Sequence, residues 1–452
     1  MTILADTIDL LDQAATVELR GTVQEVKGLV LRVADLPVPI GSMVRIEPVR
    51  GGGPLDGEVV GFDHEQAIVM PLGTTAGIGR GDHVVAAQFA QLVWTGPSVL
   101  GRVLDGMGRP IDGRGPLLDT VPRPLRPAPI DPMDRPLIDT PLATGIRAID
   151  ALISVGRGQR IGIFAAPGLG KSTLLGLMAR HTAADVSVIA LVGERGREVR
   201  DFIENHLGEE GLQRSVVICA TGDEPALLRI RAAMAACTIA EFFRDQGRDV
   251  LLIMDSITRF CQAQRQVGLA AGEPPATRGY PPSVFAMLPA LLERSGRTSR
   301  GSITGFYAVL VEGDDMSEPI ADATRGILDG HVLLSADLAA RGHWPAIDVL
   351  GSISRVADDV TDPDHAAARR QVLKLLSDYA QVEDLLNIGA YAAGSNNEFD
   401  LAIACKPAID QLLQQGRNET VSGGFDAVRR LLLALMRQIE AARKQLPRPK
   451  PA

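Results

Sequence analysis

The sequence predicts a mixed molecule in three parts: a small all-β barrel, an α/β core with a parallel sheet, and a helical C-terminal domain. Three observations carry this. Residues 19–95 hold short apolar runs punctuated by Gly, Pro and Asp, the pattern of a small barrel or sandwich. From Ile146 to about Ser354, near-continuous apolar runs alternate with stretches of 3.6-residue periodicity, as expected of strands buried on both faces and of the helices between them. After Asp364 the pattern is helical. The 452 residues agree with a prior of about 150 residues per domain.

In chain order, residues 1–18 are expected to form a short, weakly amphipathic extension. It carries acidic residues where a signal peptide needs basic ones, and no run reaches the ~18 apolar residues of a membrane span. A soluble cytoplasmic protein is expected, with any membrane association indirect. The barrel, 19–95, is assigned to the runs GTVQEV, GLVLRV, SMVRIEP, GEVVGF, QAIVMPL and GDHVVA, with Gly51, Gly52 and Gly53 in a hairpin loop. Eight prolines between Pro116 and Pro141 exclude regular helix and central strand there and mark an extended connector. The core, 96–365, takes RIGIFAA, VSVIALV, SVVICAT, VLLIMD, ITGFYAVLV and HVLLSA as strands. KSTLLGLMARHTA and ALLRIRAAMAACTIAEFFRDQ are its expected helices. Residues 366–446 supply three further helices, interrupted near Gly389, Gly394 and Gly423, and 447–452 read as a disordered tail.

Composition narrows the function. With 46 basic and 55 acidic residues the net charge is −9, against whole-surface nucleic-acid binding. Aromatics are 4% of the chain, too few for a platform that stacks successive bases. Cys219, Cys237, Cys261 and Cys405 form no CxxC pair and read as reduced, buried thiols.

The strongest local signal is Ala165-Ala166-Pro167-Gly168-Leu169-Gly170-Lys171-Ser172, followed by Thr173. It leaves an apolar strand and opens a helix, the context a P-loop requires. Ala165 stands where the strict pattern has Gly, a small residue in either case. The N–H groups of Gly168 to Ser172 would cradle phosphate at the helix N-terminus, Lys171 would reach the outer phosphate oxygens, and Ser172 would ligate Mg²⁺. ATP with Mg²⁺ is the expected ligand pair. A second apolar strand ends in Asp255, suited to the same Mg²⁺ at the carboxyl end of a parallel sheet. A third ends in Gly193-Glu194-Arg195-Gly196-Arg197-Glu198; Glu194 there can position or deprotonate an attacking water, and Arg195 can neutralise γ-phosphate charge.

These residues, with GRVLDG, TGIRAID, RGYPPSVFAMLPALLERSG, VEGDDMSEPIADATRGILDGH and PAIDVLGSISR, resemble the type III secretion and flagellar export ATPases, relatives of the rotary F- and V-type catalytic subunits. The resemblance covers nearly the whole chain. It implies a RecA-like core, Arg259 beside the γ-phosphate with Arg195, and Arg355 as an arginine finger donated to a neighbour in a homohexameric ring. It further implies that Trp344, where the family usually has tyrosine, stacks on adenine. A stator-like regulatory partner would meet the N-terminal end, and the export gate, substrates and chaperones the C-terminal helices. Flagellar export is favoured over virulence-type secretion as the commoner system. A rotary ATPase subunit, a hexameric RNA motor and a non-hydrolysing assembly component are the rival readings. The net charge and sparse aromatics count against the RNA motor, and Glu194 against the last.

Overall fold

A computed structural model describes residues 18–49, 51–311 and 315–445. The expected extension lies almost wholly, and the expected tail wholly, outside the described residues.

The six apolar runs of the N-terminal part all form strands: β1 (Arg20–Lys27), β2 (Val30–Ala34), β3 (Met43–Glu47), β4 (Leu55–Asp63), β5 (Gln66–Pro71) and β6 (His83–Gln88). They close into an antiparallel barrel in the order β1-β2-β5-β4-β3-β6, leaving no free edge. Alternate residues such as Val23, Leu31, Val33, Val44, Ile46, Val59 and Val69 fill its interior. The triple glycine joins β3 to β4, and these strands pair antiparallel.

Part of the proline-rich connector is paired as extended strand. Val121–Pro124 (β9) pairs with Leu92–Thr95 (β7) in a two-stranded ribbon. Prolines are tolerated because each ribbon strand needs hydrogen bonds on one side only.

The core sheet has nine strands: β8 (Val103–Leu104), β10 (Arg160–Ala165), β11 (Val186–Val192), β12 (Ser215–Ala220), β13 (Asp249–Asp255), β14 (Gly296–Arg297), β15 (Ser302–Leu310), β16 (Gly330–Leu334) and β17 (Ile347–Ser354). Their order is β17-β16-β10-β15-β13-β11-β12-β8, with β14 against β15. The six expected strands are all present and mutually parallel where they pair. The additions are β8 and β14, two residues each, and β17, which pairs antiparallel with β16 and forms one edge.

The helices are α1 (Arg147–Leu152), α2 (Lys171–His181), α3 (Gly196–Asp201), α4 (Gly208–Gln213), α5 (Ala226–Asp245), α6 (Ile257–Ala270), α7 (Pro282–Leu292), α8 (Pro319–Ile327), α9 (Ala336–Ala340), α10 (Pro363–Asn387), α11 (Asn397–Leu413) and α12 (Gly424–Gln445). A π-helical turn, Phe202–Leu207, lies between α3 and α4. One apolar cluster on one sheet face joins α1 and α2 to α10, α11 and α12; a second on the other face joins α5, α6 and α7. All four cysteines are buried and unpaired. Among the described residues no helix is long and apolar enough to cross a membrane.

The TGIRAID motif has a structural explanation. Asp150 is fully buried and accepts hydrogen bonds from Thr144 N (2.8 Å), Thr144 Oγ1 (2.7 Å) and Gly145 N (3.2 Å). These bonds fold the turn entering α1. Gly145 has φ 81°, and a Cβ there would lie 2.5 Å from His181 Cβ at the end of α2. The turn therefore seats the far end of the helix that begins at Lys171.

Candidate functional site

Four neighbouring strands, β10, β15, β13 and β11, end at one edge of the sheet, where ligands bind in folds of this kind. The first, third and fourth each deliver a functional group. Strand β10 runs into Ala165, and residues 166–170 turn the chain into α2. Gly168 (φ 86°) and Gly170 (φ 77°) adopt the left-handed conformation, which glycine adopts without strain. Gly170 caps α2 without a side-chain bond. Among the described residues, the first helix N–H groups, on Lys171, Ser172 and Thr173, meet no acceptor in the chain. Unsatisfied donors at a helix N-terminus fit an oxyanion such as phosphate.

Lys171 Nζ hydrogen-bonds Asp255 Oδ1 and lies 3.9 Å from Glu194 Oε1. Asp255 ends β13 and is almost wholly buried. Glu194 follows β11 through Gly193, whose φ is 73°; a Cβ on Gly193 would lie 2.8 Å from Arg259 Cβ, so glycine is required twice over. One cation thus sits between two carboxylates at the mouth of the phosphate loop. The set fits Mg²⁺ with nucleotide, since this ion takes one or two carboxylates and completes its shell with phosphate and water. Among the described residues no cluster of three or more His, Cys, Asp or Glu could hold a metal unaided.

Burial, then the nearby Asp255 charge, pushes the Glu194 carboxyl up to about 7. A carboxylic acid whose folded-state pKa lies above its ordinary 4.5 holds more protons folded than unfolded within that window. Stability therefore falls as pH rises from about 4.5 to about 7. Asp150, raised to about 7 by burial, contributes with the same sign. Urea midpoints of the nucleotide-free protein should decline across this window. Glu194→Gln should make the decline shallower; an unchanged slope would show that Glu194 is not the group titrating.

The remaining expected site residues fall into three groups. Ser172 and Thr173 lie in the first turn of α2, and Arg259 lies on α6 against Gly193 with its guanidinium on Gln262 Oε1 at 3.2 Å. Trp344 lines a cavity of about 440 Å³ with Gly168, Gly170, Thr173 and Leu174. Its Cζ3 lies 2.9 Å from where a Cβ of Gly170 would stand, and it is 43% exposed. It flanks the phosphate loop rather than filling the core.

The Arg195 side chain is 83% exposed and donates to Glu198 Oε1 at 2.7 Å, and the Glu198 carboxyl in turn meets that of Glu194. Arg195 occupies the N-cap of α3. Arg355 follows β17 and is exposed, with its N–H on Asp329 O. The pairing of β16 with β10 and β17 places it beside the N-terminal end of β10, about 17 Å of strand from its own phosphate loop.

The segment 414–419 carries no site signal in its residues. Gln415 N donates to Trp344 O (2.9 Å), Gln415 Nε2 to Gly145 O (2.9 Å), and Arg147 N to Gln415 Oε1 (2.9 Å). Gln415, Gly416 and Arg417 complete the Trp344 cavity. No motif or periodicity marks these polar residues.

Residues 145–354 match the ATP synthase alpha/beta family nucleotide-binding domain, 23–87 the beta-barrel domain of that family, and 361–432 the T3SS EscN ATPase C-terminal domain. The chain is 49% identical over 418 residues to the flagellum-specific ATP synthase of Bacillus subtilis, covering 91% of this chain and 94% of that one. It is 50% identical over 395 residues to the type 3 secretion system ATPase of Xanthomonas euvesicatoria, covering 87% and 89%. The assembled ATPase EscN of enteropathogenic E. coli, solved with its central stalk EscO, superimposes with a TM-score of 0.84 at 39% identity, over 92% of this chain and 99% of EscN. The likeness runs through barrel, core and helical domain alike, and the chain belongs to the flagellar and type III secretion ATPases, a branch of the ATP synthase alpha/beta family of P-loop enzymes that hydrolyse ATP.

Proposed function

We propose that this ATPase energises protein export of the flagellar type, as a homohexameric ring at the cytoplasmic face of the membrane, by unfolding export substrates or releasing them from chaperones. What supports the ring is the separation of Arg355 from Lys171, Glu194 and Asp255, at opposite ends of the chain's own sheet. Lys171, Glu194 and Asp255 converge at one edge, and Arg355 stands exposed at the other. Identical subunits arranged head to tail complete each other's sites. The assembled state of EscN supports the same arrangement.

Within a site, the phosphate loop from Ala165 to Ser172 wraps the phosphates, and Lys171 exchanges Asp255 for the outer phosphate oxygens. Ser172 and Asp255 hold Mg²⁺, which when bound neutralises phosphate charge. Glu194, relieved of Lys171 and facing the γ-phosphate, orients the attacking water and accepts its proton. Arg259 borders the γ-phosphate, and Trp344 offers its face to adenine. A neighbour's Arg355 stabilises the charge that develops as the γ-phosphoryl leaves, an effect of about 10³–10⁵ in turnover.

The EscN-type C-terminal match supports the export reading over a rotary subunit. Export gate, substrates and chaperones are assigned to the C-terminal helices, and a stator-like or stalk partner to the N-terminal end and ring axis. The EscO complex supports a stalk-type partner. The test is complementation of a flagellated bacterium lacking its own export ATPase. The chain should restore swimming, and Glu194→Gln should not, although it still binds nucleotide. Export by Glu194→Gln at the parental rate would overturn hydrolysis as the energy source. Rescue of virulence-type secretion without swimming would overturn the flagellar assignment.

A further inference from the structure

The side chain of Arg355 is exposed, yet its backbone is tied into a network of buried bonds. Its N–H donates to Asp329 O at 3.0 Å. The same carbonyl accepts from Gln159 Nε2 at 3.2 Å, and that amide also donates to Ser354 Oγ at 3.0 Å. Gln159 is completely buried, and its Oε1 accepts from Gly156 N at 2.9 Å. Ser354 Oγ donates onward to Ser154 O at 2.8 Å. The Asp329 carboxylate accepts from Arg160 N (3.1 Å), Nε (3.0 Å) and Nη2 (3.0 Å), and Arg160 also pairs with Glu293. Gly330 lets this crossing come close: a Cβ there would lie 2.4 Å from Ile353 O.

The β16–β17 ladder pairs Gly330 with Ser354 and already holds the sheet edge. The bonds beyond that ladder converge on Ser354 and the Arg355 N–H. Their origin is also specific. Gln159 and Arg160 are the last residue before β10 and its first residue, and β10 ends at Ala165, where the same subunit's phosphate loop begins.

We infer that Asp329, held by Arg160 and Gln159, is a positioning residue for Arg355, fixing the root of the finger to the strand that carries the subunit's own phosphate loop. This rests on the proposed trans role of Arg355. The finger is anchored at its backbone and exposed at its side chain, so it enters the adjacent site without reordering its own chain. A shift of β10 in one subunit is passed to the site of the next.

The test uses full-length chains co-purified as mixed rings. A Lys171→Ala chain donates a sound finger but has no working site; an Arg355→Ala chain has a sound site and no finger. Their mixture should hydrolyse ATP, and a mixture as inactive as either parent would overturn the trans finger itself. With that activity as reference, Asp329→Ala placed in the Lys171→Ala chain should lower turnover about tenfold with KM for ATP unchanged. The same change placed in the Arg355→Ala chain should leave turnover near the reference. Equal loss in both placements, or loss in neither, would overturn the positioning role while leaving the trans finger standing. Asp329→Asn, which retains an oxygen for Arg160, should give a smaller loss with the same placement dependence, and it decides the matter if Asp329→Ala does not assemble.

Discussion

Replacing Lys171 with alanine should lower ATP hydrolysis by about 10³-fold, the upper range for removing one preorganised donor from a developing charge, and should also destabilise the empty protein. The two effects have separate causes. In the nucleotide-free chain, Lys171 is the cation between Asp255 and Glu194. Without it two largely buried carboxylates face each other, and the loss of a buried partner costs about 1–3 kcal/mol. The Glu194 carboxyl, already raised to about 7, would rise further and take up a proton. Adding Asp255→Asn to Lys171→Ala should recover much of the stability and none of the activity. Phosphate-release assays and urea titrations measure the two quantities. A Lys171→Ala chain that unfolds at the parental midpoint would show that the cluster carries no net strain.

For Arg355→Ala the expected pattern is the reverse: turnover falls by about 10³-fold with stability and nucleotide binding by the isolated subunit unchanged. The side chain forms no ion pair among the described residues, and its own phosphate loop is at the opposite end of β10. The parent should gain specific activity as protein concentration rises and subunits meet; Arg355→Ala should stay flat. In rings mixed at random with Lys171→Ala, about a quarter of interfaces combine a sound site with a sound finger, which sets the ceiling for recovered activity. Loss of nucleotide affinity in the isolated Arg355→Ala subunit would place the residue in its own site and refute a trans role.

What could be read from sequence, and what could not, follows from how each feature is encoded. The strands β10, β11, β13 and β15 are buried on both faces, so each appears as a near-continuous apolar run. The groups at their carboxyl ends, Lys171, Glu194 and Asp255, could be placed together because the loop after such a strand opens at the ligand edge. Strand β17 was hidden because an edge strand needs only one buried face; Gly351, Ser352 and Ser354 dilute its apolar pattern. The two-residue strands β8 and β14 are too short for any period. Arg195 stands in a charge run whose pairing, Arg195 with Glu198 three residues on, depends on where α3 starts, which the run itself does not mark. Gln415 and Arg417 reach the Trp344 cavity from the far end of the chain, through contacts that no local pattern encodes.

The pinning of segment 414–419 across Trp344 also bears on the order in which the enzyme becomes competent during synthesis. The phosphate loop leaves the ribosome well before the residues that finish the Trp344 cavity, which lie some 240 positions later. Because domains fold as units from the N-terminal side, a nascent chain holds a formed phosphate loop for a time with the neighbouring cavity unwalled. The Trp344 cavity is then walled as one of the last events of maturation, once the helices on either side of segment 414–419 have docked.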